Sequence, residues 1–208
     1  PLRDAITSFD RDALRAEALD SFGLSQDLAT VLIFGGSLGA ARLNEAAIGL
    51  AASWNAREDV QMIVVTGSAH DADVRARIEP GKLTVRVLPF VQRMELAYAA
   101  ADVGVCRAGA STVHELAVVG LPSVLVPLPI ARRKEQHANA RMLTGVGAAT
   151  VVEDANATAE QLDPILGALL SDPAARARMS SAARTVARPD AAAAMADWII
   201  QLVEARGA

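Results

Sequence analysis

Six short apolar runs punctuate the chain at 30–34, 60–65, 83–88, 103–106, 123–126 and 148–152, and a turn and a stretch of helical spacing follow each. TVLIF and VQMIVV, the first two, are rich in β-branched residues and nearly free of charge. They read as strands covered on both faces, too short for buried helices. Strands that alternate with helices need crossover connections, and those are right-handed. The pattern therefore predicts an α/β fold, a doubly wound parallel six-stranded sheet with helices on both faces.

The intervening helices are legible from periodicity. Leu14, Ala18, Leu19 and Phe22 mark a helix over 10–22 that Gly23 closes, and Leu43, Ala46, Ala47 and Leu50 mark another over 42–53. Shorter ones are expected over 71–78, 94–101, from about Ser111, and over 136–143. After the sixth strand the chain reads as helix throughout, at 158–170, 173–187 and 189–205, the last two opening with a proline in the tolerated first turn. Residues 1–9 read as a connector. With no repeat, low-complexity linker or internal boundary, residues 1–208 are expected to form one domain. The start at Pro1-Leu2-Arg3, without Met, leads us to expect a piece of a longer protein.

Composition removes several function classes. Hydrophobic residues are 52% of the chain but aromatics only 3%, so the core is aliphatic. A net charge of −4 gives no nucleic-acid footprint. The single cysteine, Cys106, excludes an internal disulfide and fits a reducing compartment. No run approaches the ~18–20 apolar residues of a membrane span, and no signal peptide opens the chain. The expectation is a soluble, intracellular protein.

Ligands of open parallel sheets sit beyond the carboxyl ends of the strands, and polar and glycine residues gather there. Gly35-Gly36-Ser37-Leu38-Gly39-Ala40 follows the first strand. It is either a tight turn of small residues or a cradle whose backbone N–H groups, backed by a helix N-terminus, attract a phosphate. Its spacing is not GxGxxG, no acid follows the second strand, and there is no GK[ST] loop, so NAD and ATP are poor candidates. The stretch 103–129, VGVCRAGASTVHELAVVGLPSVLVPLP, repeats the design: strand, small-residue turn, helix, strand, then Pro127 and Pro129. Ser111 or Thr112 can cap its helix. Arg107 can add charge to an anion site, or be solvated or paired with a neighbouring acid. Thr112 and Glu115 have capping-box spacing; alternatively the Glu115 carboxylate accepts from both hydroxyls of a ribose.

The stretch CRAGASTVHELAVVGLPSVLVPLP is similar to the donor-binding signature of the MurG family, bacterial glycosyltransferases of the GT-B type. FGGSLGAARLN at 34–44 resembles that family's first glycine loop, and EQHANA at 135–140 its sugar-contacting segment. The similarity runs in order along the whole chain, without the family's N-terminal half. It implies a Rossmann-like domain, the C-terminal half of such an enzyme, that binds UDP-N-acetylglucosamine. Residue by residue, it implies that Gly36, Ser37, Leu38 and Gly39 approach the donor diphosphate, Leu38 standing where the family usually has Gln. Gly109, Ala110, Ser111 and Thr112 are implied to lie under the diphosphate, with Arg107 beside them. The backbone of Val91 is implied to read the uracil edge, Glu115 to hold the ribose, and Glu135, Gln136 and Asn139 to face the hexose. For the Phe90 side chain the expectation is a plug in the core.

What the family does would then be an inverting transfer of N-acetylglucosamine from UDP to an undecaprenyl-linked acceptor, lipid I giving lipid II, with no cofactor. The resemblance puts the catalytic base, the acceptor site and the peripheral contact with the cytoplasmic face of the bacterial plasma membrane in the absent half. The chain alone is then expected to bind donor weakly and catalyse little. Trp198, Ile199, Ile200 and Val203 in the last helix are expected to pack partly against that half, leaving an apolar patch in its absence. Two alternatives stay open: a related UDP-sugar enzyme such as an epimerase or a lipid galactosyltransferase, and a stand-alone donor-binding subunit that needs a partner chain. Three further features read as structural. Asp71-Ala72-Asp73 is charge at a helix N-terminus rather than a metal motif. His70, His114 and His137 lack zinc-ligand spacing. Cys106 is a buried small hydrophobe.

Overall fold

Residues 2–36, 40–129 and 135–207 are described by a computed structural model of the chain. Six strands form one sheet in which every pairing is parallel: β1 (Ala29–Phe34), β2 (Val60–Val65), β3 (Thr84–Leu88), β4 (Val103–Cys106), β5 (Ser123–Leu125) and β6 (Ala149–Val151). Their spatial order is β3-β2-β1-β4-β5-β6. The expected doubly wound sheet is thus observed. β2 and β3 are laid outward to one side of β1, and β4, β5 and β6 outward to the other.

Strand alternation builds two cores. Leu32, Phe34 and Cys106 face one side, where they meet Ala18 and Leu19 of α2 (Arg11–Ser21), Tyr98 of α5 (Met94–Ala100), Leu116 of α6 (Ala110–Val119) and Leu143 of α7 (Glu135–Thr144). Val31, Ile33, Val103 and Val105 face the other, against Leu43 and Leu50 of α3 (Ala41–Ser53) and Leu162 and Leu166 of α8 (Ala159–Ser171). Because both faces are covered, the strands need no polar alternation, which is why the sequence runs were continuous. At the amino ends of β1 and β2 the buried Gln61 and Thr30 are matched. Gln61 Nε2 donates to Ser25 O at 2.8 Å and to Thr30 Oγ1 at 3.0 Å, while its Oε1 accepts from Ser25 N at 3.0 Å.

Residues 1–9 differ from expectation. Asp4–Thr7 form a helical turn, α1, that seats Ile6 at 1% exposure among residues of α5 and α6. Leu2, Ile6 and Phe9 stand at helical spacing and all three pack on this core, but over nine residues the pattern is too short to tell a helical turn from a connector. The helix after β4 also starts earlier than expected, at Ala110 with Gly109 as N-cap and no side-chain cap; neither Ser111 nor Thr112 caps it. It ends at Gly120, whose φ of 66° is the left-handed conformation that terminates helices.

Of the last helices, α9 (Pro173–Thr185) has Asp172 as N-cap, accepting from Ala175 N at 2.8 Å, and proline in its first turn as expected. The helix at Ala191–Gly207, α10, leaves Trp198 61%, Ile199 52% and Val203 66% exposed. Among the described residues no helix is long and apolar enough to cross a membrane.

Candidate functional site

β1 and β4 lie side by side with Phe34 opposite Cys106, the last residue of each strand. From these ends the chain departs in opposite directions, toward β2 through α3 and toward β5 through α6. The diverging loops leave a crevice, which is where a doubly wound sheet binds ligands. Two clefts occupy it, of about 780 Å³ and about 470 Å³, and Gly36 and Thr112 line both. A Cβ built on Gly36 meets nothing within 4 Å, so packing does not require a glycine there. What the missing side chain preserves is open space above the end of β1.

Glu115, Ser111, Val91 and Phe90 line the smaller cleft together with Tyr98 and Arg3. Glu115 does not close a capping box, since α6 has no side-chain cap. Instead its Oε2 accepts a hydrogen bond from the Tyr98 hydroxyl at 2.6 Å. Tyr98 is 1% exposed, and its ring meets Phe34 edge-on with centroids 5.9 Å apart. Burial first, and the Glu115 charge second, hold the phenol well above its ordinary 10.0, so it remains a proton donor at neutral pH. The neighbouring side chains reverse one expectation. Phe90 is 61% exposed and lies on the cleft wall, whereas Val91 fills the core at 7%. The N–H and C=O of Val91 have no hydrogen-bond partner among the described residues.

Arg107, Gly109, Thr112, Gln136 and Asp154 line the larger cleft. Two residues of α7 fix the turn that carries it. Gln136 Oε1 accepts from Ala108 N at 3.2 Å and from Leu128 N at 2.9 Å, and Asn139 Nδ2 donates to Ala108 O at 3.0 Å. The Ala108 peptide groups are thereby held on both sides, and Asn139 braces the turn without lining either cleft. Arg107 Nη1 donates to Asp154 Oδ1 at 2.6 Å and to Val126 O at 3.1 Å, so its charge is already matched by an acid. The positive end of the uncapped α6 helix, with the exposed Ala110 and Ser111 in its first turn, adds to the arginines that line the clefts, Arg42 in the larger and Arg3 in the smaller.

Not every expected residue joins the group. Glu135 is exposed at the first position of α7 and lies outside both clefts. Ser37, Leu38 and Gly39 lie outside the described residues. Arg3, Tyr98 and Asp154 are part of the site without having been expected there. Tyr98 sits mid-helix in an alanine-rich stretch and Asp154 in a 3₁₀ turn after β6, and only tertiary contact distinguishes them from ordinary residues.

The readings of Asp71-Ala72-Asp73 as helix N-terminal charge and of Cys106 as a buried residue describe what is seen. Asp71 and Asp73 lie in the first turn of α4 (Asp71–Arg77) and pair with Arg75 and Arg77 one turn on. Among the described residues no group of three or more His, Cys, Asp or Glu can hold a metal ion. Cys106 is fully buried, and burial, with Glu115 second, raises its thiol far above the ordinary 9.0.

Comparison with known proteins accords with this geometry. The chain is 44% identical over 202 residues to the UDP-N-acetylglucosamine--N-acetylmuramyl-(pentapeptide) pyrophosphoryl-undecaprenol N-acetylglucosamine transferase of Mycolicibacterium paratuberculosis, covering 97% of this chain and 49% of that protein. It is 42% identical over 208 residues to the protein of the same name from Mycobacterium tuberculosis H37Rv, covering 100% and 50%. The chain thus spans about half the length of the curated relatives it matches. Among solved structures, Acinetobacter baumannii MurG superposes with a TM-score of 0.80 at 32% identity, over 95% of this chain and 55% of that one. The C-terminal CMP-Kdo binding domain of WaaA from the same organism shares the fold, with a TM-score of 0.63 at 16% identity over 85% of this chain and 97% of that one. The glycosyltransferase family 28 C-terminal domain model matches residues 30–195, from the first strand to the last helix, and the chain belongs to that family.

Proposed function

We propose that residues 1–208 are the donor-binding unit of a longer, inverting hexosyltransferase that moves N-acetylglucosamine from UDP to an undecaprenyl-diphosphate-linked muramyl-pentapeptide, converting lipid I to lipid II. The observation that carries the reading is the pair of clefts meeting at Gly36 and Thr112, the smaller walled by Val91 and the Glu115 carboxylate and the larger by the Gly109 turn, Gln136 and charged groups that include Arg42, Glu45 and the Arg107–Asp154 pair. A nucleotide diphosphate sugar has the same order of chemistry along its length. Uracil lies against the free peptide groups of Val91, and the ribose hydroxyls donate to Glu115. The diphosphate crosses the Gly36 and Gly109 turns, where it meets the positive end of α6. The hexose then enters the larger cleft near Gln136. Gly39, Ser37 and Leu38, on the loop after β1, belong to the same diphosphate stretch, and Glu135 and Asn139 flank the hexose end.

The chemistry assigned to this half is electrostatic. As the acceptor 4-hydroxyl attacks the sugar C1, negative charge grows on the departing UDP, and main-chain donors fixed in advance stabilise it without reorganising. No cofactor enters this scheme. The base that takes the acceptor proton, the lipid acceptor's site and the contact with the cytoplasmic face of the plasma membrane are assigned to the remainder of the longer protein. Support for that division comes from relatives twice the chain's length whose names specify the undecaprenol acceptor.

Calorimetric titration of the chain with UDP-N-acetylglucosamine, UDP-glucose and ADP-glucose tests the reading. The uridine compounds should bind and ADP-glucose should bind much more weakly; equal affinity for the adenine donor would discredit the uracil assignment. Glu115→Ala removes hydrogen bonds to a charged acceptor, each contributing about 1.5–3 kcal/mol. A folded Glu115→Ala protein with undiminished affinity would return that residue to a structural role.

A further inference from the structure

We propose that Tyr98 is the positioning residue that sets the orientation of Glu115 and so determines how strongly the site selects a ribose over a deoxyribose. The inference rests on the donor-binding reading above and extends it to a residue that need not touch the nucleotide base or the phosphates.

A glutamate on a helix facing an open cleft has three side-chain torsions to fix before both carboxylate oxygens can face a diol. Among the described residues, the Glu115 carboxylate has one hydrogen-bond partner, the Tyr98 hydroxyl at 2.6 Å on Oε2. That partner is itself immobile. Its ring is 1% exposed, lies edge-on to Phe34 at 5.9 Å and 72°, and belongs to the core between α5 and the sheet. Phe34 ends β1 and Tyr98 belongs to α5, so the hydroxyl is anchored to the sheet independently of α6, which carries Glu115.

Each carboxylate oxygen offers two acceptor positions. The phenol occupies one position on Oε2 and leaves Oε1 and the remaining lone pair of Oε2 for a ligand. Two adjacent hydroxyls can use both oxygens at once, while a 2′-deoxyribose uses one. A carboxylate free to rotate would lose most of this difference, because ordering it would cost part of what the second hydrogen bond contributes. The phenol also keeps its proton at neutral pH, so it acts as a donor to Glu115 rather than as a competing anion.

Isothermal titration of UDP and 2′-deoxy-UDP into the unsubstituted chain and into Tyr98→Phe tests the proposal. Loss of the phenol should weaken UDP about tenfold, equivalent to about 1.4 kcal/mol. 2′-Deoxy-UDP should weaken much less, so the ribose preference shrinks. In a Glu115→Ala background the same Tyr98→Phe change should have no further effect on UDP, the mark of two residues acting as a unit. Equal weakening of both nucleotides, undiminished UDP affinity, or a full tenfold loss without Glu115 would each overturn the proposal. If the unsubstituted chain binds no UDP, the donor-binding reading falls and this inference with it; the other outcomes overturn this inference alone.

A measurement without substitution covers the case in which Tyr98→Phe does not fold. Tyr98 is the single tyrosine of the chain, so a ¹³C label at its ζ carbon gives one assignable resonance. UDP should shift that resonance more than 2′-deoxy-UDP does, because two hydroxyls then share the Glu115 charge. An unmoved resonance at saturating UDP would sink the idea.

Discussion

Gln136 has an unusual position: it lines the larger cleft, yet its Oε1 accepts from the backbone at the ends of two different strands. Substituting leucine keeps the volume and removes the acceptor. The N–H groups of Ala108 and Leu128 then lose their partner, and each unsatisfied donor costs about 1–3 kcal/mol. Since both sit beside an open cleft that admits water, the lower end applies, giving about 2 kcal/mol for the pair. For a chain of this size that lowers Tm by about 4–8 °C. The released Arg107–Ala108–Gly109 turn should also weaken UDP itself, not only the sugar nucleotide. Gln136→Glu separates the two roles, because a carboxylate still accepts both N–H groups. Its Tm should stay near the parent's, while its charge opposes the diphosphate and lowers affinity. Thermal unfolding by circular dichroism and titration with UDP and UDP-N-acetylglucosamine supply both readouts. A Gln136→Leu protein within about 0.5 kcal/mol of the parent that loses only the sugar contribution would refute the bracing role and leave Gln136 a pure ligand contact.

Gly36→Ala adds a methyl group into open space, so urea unfolding should show a change within about 0.5 kcal/mol. UDP affinity should nevertheless fall at least several-fold if a phosphate approaches that backbone; unchanged affinity would remove Gly36 from the site. Cys106 supplies a pH test. Its thiol is raised in the fold, above an ordinary 9.0, so its contribution to stability is complete below that value and is lost as pH rises beyond it. Between about pH 9 and 10 this one group should lower stability with a slope of up to about 1.4 kcal/mol per pH unit. Cys106→Ala should flatten that slope, and an identical pH profile in the variant would contradict the burial-driven shift.

The division of labour between the two clefts follows from the sheet. Because β1 and β4 are neighbours but their connections diverge, no loop has to be made to leave room for a ligand. The chain then has only to keep the strand ends small. Around the Ala108 peptide, α7 supplies one acceptor and one donor, Gln136 and Asn139, so the turn is fixed by side chains from a later element rather than by its own sequence.

Much of this was legible beforehand, and the reasons are local. Continuous β-branched runs such as 30–34 can be stable only when covered on both faces, and their alternation with helical periods leaves a wound parallel sheet as the available solution. Small residues at strand ends, Gly36 and Gly109 among them, marked the working edge because glycine at a strand terminus keeps backbone approachable. What local pattern could not convey was which side chains meet. Thr112 and Glu115 had the spacing of a capping box, yet Glu115 instead meets Tyr98, seventeen positions away, at 2.6 Å. Phe90 was expected in the core and is exposed instead, the core position going to Val91, because the path of the loop after β3 decides which of two adjacent side chains points inward. Ile6, in a stretch too short to declare a helix, is buried by helices that follow about ninety residues later. By itself the sequence determined all but the shortest secondary elements and their order, and pointed to the sheet edge where the two clefts lie, since those depend on interactions within a few residues. Tertiary structure alone decided the partners of Glu115, Arg107 and Gln136, because a hydrogen bond between distant elements depends on packing geometry that no short window of residues encodes.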